Sequence, residues 1–289
     1  MSESVRIGVI GGSGLYEMDG MEVVEERRIE TPFGDPSDAL IIGRVEGQEV
    51  AFLPRHGRGH PLLPSELNFR ANIWALKSIG VQWIISVSAV GSLKLEYEPK
   101  HIVAPTQFYD RTRHRVDTFF GDGLVGHVSL ADPVCPKLQQ VLVAGAREAG
   151  ATVHDGGTYV NMEGPLFSTR AESNVYRGWG FDIIGMTNLQ EAKLAREAEM
   201  SYATLAMVTD YDCWHEEDVS GHAVMEVMAQ NVKTAQTALL HILRRVPAQE
   251  DSPYKGILAH SLITDPALVP EQTYKNLELI IGPYMKRPS

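Results

Sequence analysis

Short runs of aliphatic and β-branched residues recur along the chain and are typical of buried strands. Several of them are apolar at almost every position rather than at alternate positions, which indicates strands that are covered on both faces. The predicted strands are Arg6–Ile10, Ala39–Arg44, Glu49–Pro54, Trp83–Val90, His101–Pro105, Thr158–Met162, Ile183–Met186 and Tyr202–Val208.

Between these strands, apolar residues spaced three and four apart predict helices. Ser65 is a suitable N-cap for the first helix, and Pro136 suits the first turn of the second. The predicted helices run from about Ser65 to Gly80, from Pro136 to Gly150, over Leu189–Glu199 and from about Ser220 to Arg245. Strands and helices that alternate after a hairpin-like start predict an α/β protein with three αβα layers and a central mixed β-sheet.

No repeat or low-complexity linker divides residues 1–247, which we interpret as one domain. Residues 248–289 are rich in proline and are expected to form a C-terminal extension packed on the domain or on a neighbouring subunit.

The chain has 37 acidic and 26 basic side chains, a formal net charge of −11. Such a surplus repels phosphate backbones and anionic lipids, so we expect no nucleic-acid partner and no membrane partner. The N-terminus lacks the pattern of a signal peptide, and no window is apolar enough to cross a bilayer. Cys135 and Cys213 form no CxxC pair, so we expect a cytoplasmic protein with reduced thiols.

Two loops that follow predicted strands are candidate anion sites. Gly11–Gly14, with Ser13 inside it, could bring backbone N–H groups close to an anion, although an ordinary tight turn has the same composition. The Rossmann spacing and the Walker lysine are both absent, which disfavours a dinucleotide-dependent oxidoreductase. The segment Arg55–His60 holds two arginines and two histidines and favours an anion site, with a solvated basic loop as the alternative.

Two further strands end in residues that suit a ligand. The small side chains of Ser86–Ser92 leave room against the backbone, although tight packing without a ligand would look the same. Asp210 and Asp212, at i and i+2, point to the same side of a strand end, where each carboxylate could serve a ligand or one could orient the other. An Asx-type turn is the structural alternative for this pair.

Taken in order, these segments resemble the 5′-methylthioadenosine phosphorylases of the trimeric purine nucleoside phosphorylase family. The similarity runs from residue 7 to about residue 245. The motifs that carry it are IGGSGLYE (10–17), TPFGDPSDAL (31–40), PRHGRGH (54–60), NFRANIWALK (68–77), GPLFSTRAES (164–173), GMTNLQEAKLARE (185–197) and TDYDCW (209–214).

The resemblance implies a nucleoside phosphorylase-like fold and the phosphorolysis of methylthioadenosine to adenine and 5-methylthioribose 1-phosphate. No metal or organic cofactor is expected, because orthophosphate is the nucleophile and co-substrate and a side chain can supply the proton. The expected partners are small molecules and two further copies of the chain in a homotrimer.

The same resemblance assigns roles to individual residues. Asp210 is the expected general acid at purine N7 and Asp212 its partner at the exocyclic amine. Met186 would pack on the ribose and Phe167 beside the purine, while His127 would be supplied by a neighbouring subunit. The expected phosphate shell is Ser13, Arg55, His56, Ser88, Ala89 and Thr187.

Substrate choice depends on a few positions. Relatives that act on 6-oxopurines carry Glu at Ser168 and Asn at Asp210, so the residues here favour adenine, whose amine donates to a carboxylate. Gly221 aligns with the position that selects the 5′ substituent, and a shift of one residue would place His222 there. Several relatives have Asn at Gly185, and the missing amide is expected to matter little if water fills the space.

Alternative functions remain open. One is a purine nucleoside phosphorylase that acts on methylthioinosine, adenosine or inosine. Another, from a different class, is a non-catalytic protein that binds purine or phosphate.

Overall fold

The computed structural model describes residues 5–215 and 221–286, apart from the side chains of Ser13 and of residues 221–224. Within these ranges the chain forms eleven strands and six α-helices. The strands are β1 (Ile7–Gly11), β2 (Glu22–Arg27), β3 (Leu40–Val45), β4 (Gln48–Pro54), β5 (Trp83–Ser92), β6 (Ile102–Ala104), β7 (Gln107–Asp110), β8 (Val153–Asp155), β9 (Thr158–Asn161), β10 (Ile183–Gly185) and β11 (Ser201–Asp210). The helices are α1 (Phe69–Ser78), α2 (Pro136–Glu148), α3 (Arg170–Gly178), α4 (Asn188–Glu197), α5 (Gly221–Leu243) and α6 (Glu271–Ile281).

The strands form one mixed sheet, as the sequence predicts. Its main path has the order β2-β3-β4-β1-β5-β10-β9-β7, while β11 pairs with β5 and continues through β6 to β8. At the centre, β4, β1, β5 and β11 are parallel neighbours, whereas β2, β3 and β4 pair antiparallel and β10 runs antiparallel to β5. The carboxyl ends of the four central strands therefore lie at one edge of the sheet.

Helices cover both faces of this sheet and complete the three predicted layers. Adjacent residues of β5 point to opposite faces, because side chains alternate along a strand. Ile84 packs in a core cluster with helices α1, α4 and α6. Ile85 packs on the other face with α2 and α5. Among the described residues, no helix combines the length and apolar character needed to cross a bilayer.

The start of α1 differs from the prediction. Asn68 rather than Ser65 is the N-cap, because the Asn68 side chain accepts a hydrogen bond from the Ala71 N–H at 3.2 Å. The Ser65 hydroxyl instead donates to the carboxylate of Glu163 at 2.8 Å. The predicted N-cap is therefore wrong. Ser65 instead joins the segment before α1 to the loop that contains Glu163.

Residues 257–286 pack on the layer that contains α1, while Ala248 and Tyr254 pack with the core cluster on the other face of the sheet. Leu258, Leu277 and Met285 are buried in the same core cluster as Phe69 of α1. The Glu199 carboxylate accepts hydrogen bonds from the Leu258 N–H at 3.0 Å and from the Tyr284 hydroxyl at 2.7 Å, and so fixes the segment at two points.

Candidate active site

Most of the predicted site residues lie where the central parallel strands end. Gly11 of β1 pairs with Pro54 of β4, so that Arg55 follows directly beside the first glycine turn. The Arg55 N–H donates to the Gly11 carbonyl at 2.8 Å. Ser88 lies on β5 between these loops and the end of β11. This edge is where α/β sheets bind ligands, because loops diverge there and leave a crevice.

One end of the crevice is formed by Asp210 and Asp212, and we call it the base end. The pairing of β11 with β5 shifts register between Val208 and Asp210, so that Asp210 lies opposite Gly91. Such an irregularity can redirect a side chain at a strand end. A Cβ on Gly91 would lie 3.1 Å from Asp210 Oδ1 and 3.4 Å from Asp212 Cβ, so the glycine leaves room for both residues.

The two carboxyl groups of the base end have raised pKa values. The pKa of Asp210 is raised to about 6, chiefly by burial; the Thr209 hydroxyl, which donates at 2.6 Å, opposes the rise, and the charge of Asp212 contributes to it. Burial also raises the pKa of Asp212. Within the described residues, Asp212 Oδ2 is buried without a hydrogen-bond partner. The base end can therefore hold a proton and still accept a hydrogen bond from a ligand.

Two residues of the loop before α3 lie at different depths beside the base end. Ser168 is buried, and its hydroxyl lowers the pKa of Asp212 and so lies next to that carboxyl. The Ser168 carbonyl accepts from the Cys213 thiol at 3.0 Å, which joins the loop to the strand end. Phe167 is 50% exposed and could cover a ligand from the solvent side.

The other end of the crevice, which we call the phosphate end, is organised by Arg55 and a residue that the sequence did not indicate. Arg55 is buried, and its Nε donates to Glu191 Oε1 at 2.5 Å. Its Nη1 donates to the Val87 carbonyl at 2.8 Å, and its Nη2 to the Ser86 hydroxyl at 2.5 Å. Burial alone would lower the pKa of Arg55, but the Glu191 carboxylate outweighs this effect and the pKa is raised.

The basic segment that begins at Arg55 does not act as one cationic patch. The pKa of His56 is lowered to about 4, chiefly by burial; the hydrogen bond to the Leu62 carbonyl opposes this shift, and the charge of Arg55 contributes to it. Arg58 lies outside, paired with Glu26 and Asp38, which is the alternative that the sequence left open for this loop. The phosphate end therefore combines a neutralised arginine with a neutral imidazole.

The orientation of His56 follows from its partner. Its Nδ1 lies 2.8 Å from the Leu62 carbonyl oxygen, which can only accept, so Nδ1 carries the proton. His60 stacks on the ring with centroids 4.2 Å apart. In the neutral ring Nε2 is an acceptor, suited to a protonated phosphate oxygen.

Ser88 and Ala89 line a small cavity with the first glycine turn. The cavity has a volume of about 70 Å³ and also contacts Gly12 and Thr209. In the part of the chain that the structure describes, the Ser88 hydroxyl is buried and unpartnered. A buried hydroxyl without a partner is costly unless a ligand or water satisfies it, so Ser88 suits an anion. The Ser13 side chain lies outside the described set.

Thr187 and Met186 connect β10 to α4 between the two ends. Thr187 is the N-cap of α4, but its side chain makes no capping hydrogen bond. Met186 packs beneath Gly164, where an added Cβ would lie 2.5 Å from its Sδ. Arg115 donates to the Met186 carbonyl through Nη1 and to the Glu163 carbonyl at 2.6 Å, which holds the loop and the strand end together.

The space beside Gly185, where several relatives carry Asn, is occupied by a tyrosine side chain. A Cβ on this residue would overlap the hydroxyl of Tyr159, a fully buried side chain on the neighbouring strand β9. The tyrosine hydroxyl therefore occupies the space that a side chain at position 185 would need.

The structure adds Glu191, Asn188 and Arg115 to the residues predicted from the sequence. Glu191 is buried inside the predicted helix, at a position that a helix usually gives to an apolar residue, and Asn188 is buried just before the predicted start, so the predicted helix indicated no role for either. Arg115 lies in a polar segment without periodicity, yet its side chain is only 2% exposed. The sequence feature that could have indicated these residues is the run of polar side chains at the start of α4, among positions that the structure shows to be buried.

Two predicted positions lie apart from the crevice or outside the description. His127 is exposed, and its N–H donates to the Ser261 carbonyl at 2.8 Å. Among the described residues, no side-chain hydrogen bond or ring contact joins His127 to the other predicted site residues. Gly221 begins α5, and the side chains at 221–224, including that of His222, lie outside the described residues.

A larger open cavity of about 610 Å³ lies at the opposite edge of the sheet, at the starts of β1 and β4. It is lined by Arg6, Glu49 and residues 246–250 and contains none of the predicted site residues. Arg6 is already paired with Asp251 at 2.9 Å.

Comparison with known proteins shows the family to which this chain belongs. Residues 6–244 match the model of the phosphorylase superfamily. The chain is 55% identical to the S-methyl-5′-thioadenosine phosphorylase of Geobacter sulfurreducens over 282 residues, covering 96% of this chain and 99% of that protein. It is 53% identical to the enzyme of the same name from Hyperthermus butylicus over 251 residues, covering 86% and 92%.

The fold is also similar to solved structures of proteins with related names. A methylthioadenosine phosphorylase from an antarctic soil metagenomic library superposes with a TM-score of 0.92 at 46% identity, covering 96% of this chain and 99% of that one. The methylthioadenosine phosphorylase of Schistosoma mansoni in complex with adenine superposes with a TM-score of 0.84 at 38% identity, covering 89% and 99%.

Proposed function

Since this chain belongs to the phosphorylase superfamily, we propose that it is a pentosyltransferase that cleaves S-methyl-5′-thioadenosine with orthophosphate. The products are adenine and 5-methylthioribose 1-phosphate, as purine and methionine salvage require. The observation that carries the proposal is the arrangement along β5. Ser88 faces the phosphate end and Gly91 the base end, about 10 Å apart at the usual rise of a strand. A nucleoside between them presents its base to Asp210 and its C1′ to phosphate.

At the base end, Asp210 donates a proton to purine N7 as the glycosidic bond breaks. Electron density moves onto the purine in that step, so a proton delivered to N7 stabilises the leaving group. The raised pKa of Asp210, about 6, brings its proton affinity close to that needed near neutral pH. Asp212 accepts a hydrogen bond from the exocyclic amine through its unpaired oxygen and so favours adenine over a 6-oxopurine. Ser168 lies beside it, and Phe167 covers the purine.

At the phosphate end, hydroxyls and backbone N–H groups bind the nucleophile. Ser88, Thr187 and the Ala89 backbone provide donors, and Ser13 adds another from the glycine turn. Arg55 uses the N–H that its contacts to Glu191, Ser86 and Val87 leave on Nη1, and His56 accepts through Nε2. Donors fixed in place before phosphate arrives lower the cost of orienting it beneath C1′. Met186 packs against the ribose.

We propose that no metal or organic cofactor takes part. Phosphate supplies the nucleophile and Asp210 the proton, so the reaction balances without either. The two cysteines are unpaired, which suits the reducing cytoplasm as the place of action.

We further propose a homotrimer in which a neighbour supplies His127 to the 5′ end of the crevice. Val125, Ile263 and Leu268, which are 47%, 62% and 73% exposed, lie in the two segments that are joined beside His127. Exposed apolar residues in one area indicate a contact surface. Sedimentation is expected to give a trimer, and a monomer at micromolar concentration would contradict this assembly.

Adenine release tests the activity directly. Methylthioadenosine, adenosine and inosine are each incubated with the enzyme with and without orthophosphate, and base release is followed by absorbance. The proposal predicts rapid release from methylthioadenosine that requires phosphate. Faster cleavage of inosine or adenosine would favour a different base or 5′ preference. Phosphate-independent cleavage would indicate hydrolysis, and binding without any cleavage would favour a non-catalytic protein.

A further inference from the structure

The side-chain oxygen of Asn188 accepts two hydrogen bonds at the floor of the phosphate end. The Tyr159 hydroxyl donates to Asn188 Oδ1 at 3.1 Å, and the Thr187 hydroxyl donates to the same oxygen at 3.3 Å. All three residues are buried. The amide nitrogen of Asn188 donates to Thr204 at 2.7 Å, so the orientation of the amide group is fixed.

We propose that Tyr159 is a positioning residue of the phosphate end, whose hydroxyl satisfies Asn188 and thereby frees the Thr187 hydroxyl to donate to phosphate. This inference rests on the proposed function, because it assigns Thr187 to the phosphate shell.

The geometry indicates which of the two hydrogen bonds is given up. An O–H···O bond is most favourable near 2.7–2.8 Å, so the Thr187 contact, the longer of the two, is the weaker. An amide oxygen is satisfied by one good donor, but it is costly when buried with none. With Tyr159 in place, Thr187 can turn to phosphate while Asn188 keeps a donor. Without the tyrosine hydroxyl, phosphate and Asn188 compete for the same proton.

Packing keeps Tyr159 in this role. Its ring contacts Phe108 with centroids 5.2 Å apart, and its hydroxyl occupies the space above Gly185. Burial raises the pKa of the Tyr159 hydroxyl, while the charge of Arg55, and to a smaller extent the neighbouring Ser88 hydroxyl and Thr187 N–H, oppose part of the rise. The group therefore remains a protonated donor, next to two predicted phosphate ligands.

The first test is Tyr159→Phe, which removes the donor and keeps the ring. The phosphate KM is expected to rise about tenfold, the effect of roughly one hydrogen bond, while kcat and the methylthioadenosine KM change less than about twofold. Tyr176→Phe is the matched control, because Tyr176 is also buried but lies on α3, and it should leave the phosphate KM unchanged. An unchanged phosphate KM in folded Tyr159→Phe overturns the inference.

A double-mutant cycle with Thr187→Val distinguishes positioning from general loosening. If Tyr159 acts through the Thr187 hydroxyl, Tyr159→Phe adds nothing to the phosphate KM once that hydroxyl is gone. Full additivity of the two substitutions would mean a merely structural role and would overturn the inference.

Asn188→Ala provides a test that does not depend on the folding of Tyr159→Phe. It removes the competing oxygen, so the phosphate KM is expected to fall, by about twofold. A raised phosphate KM in this variant would contradict the proposed competition.

Calorimetric titration with orthophosphate alone separates this inference from the proposed function. If the wild type binds phosphate but releases no base from any nucleoside, the proposed function fails, and the weaker phosphate binding of Tyr159→Phe still supports the inference. If the wild type is active and both proteins bind phosphate equally well, the inference alone fails.

Discussion

The two ends of the crevice manage buried charge in opposite ways. At the base end, the described residues place no cation against Asp210 or Asp212, and burial raises the pKa of both carboxyl groups. At the phosphate end, the buried charge of Arg55 is matched by Glu191, at 2.5 Å, before any ligand arrives. The carboxyl groups of the base end therefore lack a compensating cation, whereas the arginine of the phosphate end already has a compensating carboxylate.

This difference corresponds to the two tasks of phosphorolysis. A proton donor needs a carboxyl that ionises reluctantly, and removing compensating cations achieves this. A phosphate site needs oriented donors, but strong net positive charge would also bind the phosphorylated product tightly. In the proposed reaction, neutralising Arg55 leaves phosphate recognition to hydroxyls and N–H groups, which give direction without excess attraction.

The largest expected effect is at the base end. Asp210→Asn keeps the shape of the side chain but removes the acidic proton, so kcat/KM for methylthioadenosine is expected to fall about 10²–10⁴-fold. Steady-state adenine release measures this. Asp38→Asn, a carboxylate paired with Arg58 outside the crevice, is the control and should retain activity. A rate for Asp210→Asn equal to that of the wild type would remove Asp210 from the chemistry.

The next effect is at the phosphate end and concerns stability as well as binding. Arg55→Ala leaves Glu191 buried without its cation, so the free energy of unfolding is expected to fall by about 3–5 kcal/mol. The phosphate KM should rise more than the methylthioadenosine KM. Urea denaturation and separate KM determinations measure the two effects.

Two variants separate the causes in this second prediction. Arg58→Ala removes an exposed arginine of the same loop and should leave both KM values within about twofold, since exposed ion pairs contribute little. Arg55→Met combined with Glu191→Leu should recover much of the lost stability but not the phosphate affinity. Equal rises of both KM values in Arg55→Ala would place Arg55 away from phosphate.

The smallest expected effect concerns stability. Asp210→Asn, the substitution that most impairs catalysis, is expected to make the folded protein more stable. The folded pKa of Asp210, about 6, exceeds its ordinary value of 3.8, so the folded state holds a proton that the unfolded state releases between these values. Stability therefore falls as the pH rises from about 4 to about 6, and the cost persists above that range.

Asp210→Asn removes this cost. The variant is expected to be about 1–3 kcal/mol more stable than the wild type at pH 7.5 and about equal at pH 4. Urea denaturation at both pH values and one protein concentration measures it. A variant less stable than the wild type at pH 7.5 would mean that Asp210 is not held at an electrostatic cost.

The sequence predicted the central strands and the crevice where they end, because buried strands and strand-end loops leave local patterns. It did not indicate β2, whose residues are largely exposed, or α3, in which only Ser173 and Tyr176 are buried. These elements are held by pairing and by a capping box rather than by an apolar stripe. The compensation of Arg55 by Glu191 could not be predicted either, because it arises only when α4 packs against the central sheet.

The resemblance named most of the candidate site, residue by residue, but not the side chains that support it. The pairs Arg55–Glu191 and Tyr159–Asn188 join residues far apart in the chain, and no local spacing could have linked them. Gly185 illustrates the difference: the sequence showed a missing side chain, and only the fold showed the tyrosine that takes its place.

The pH dependence of kcat/KM for methylthioadenosine, measured at saturating phosphate in the wild type and in Asp210→Asn, tests the central claim most directly. This parameter reports ionisations of the free enzyme, so the account predicts a wild-type profile that declines as the pH rises above about 6, where Asp210 loses its proton. In Asp210→Asn the decline should be absent, because an amide does not titrate. The same decline in both proteins would contradict Asp210 as the proton donor.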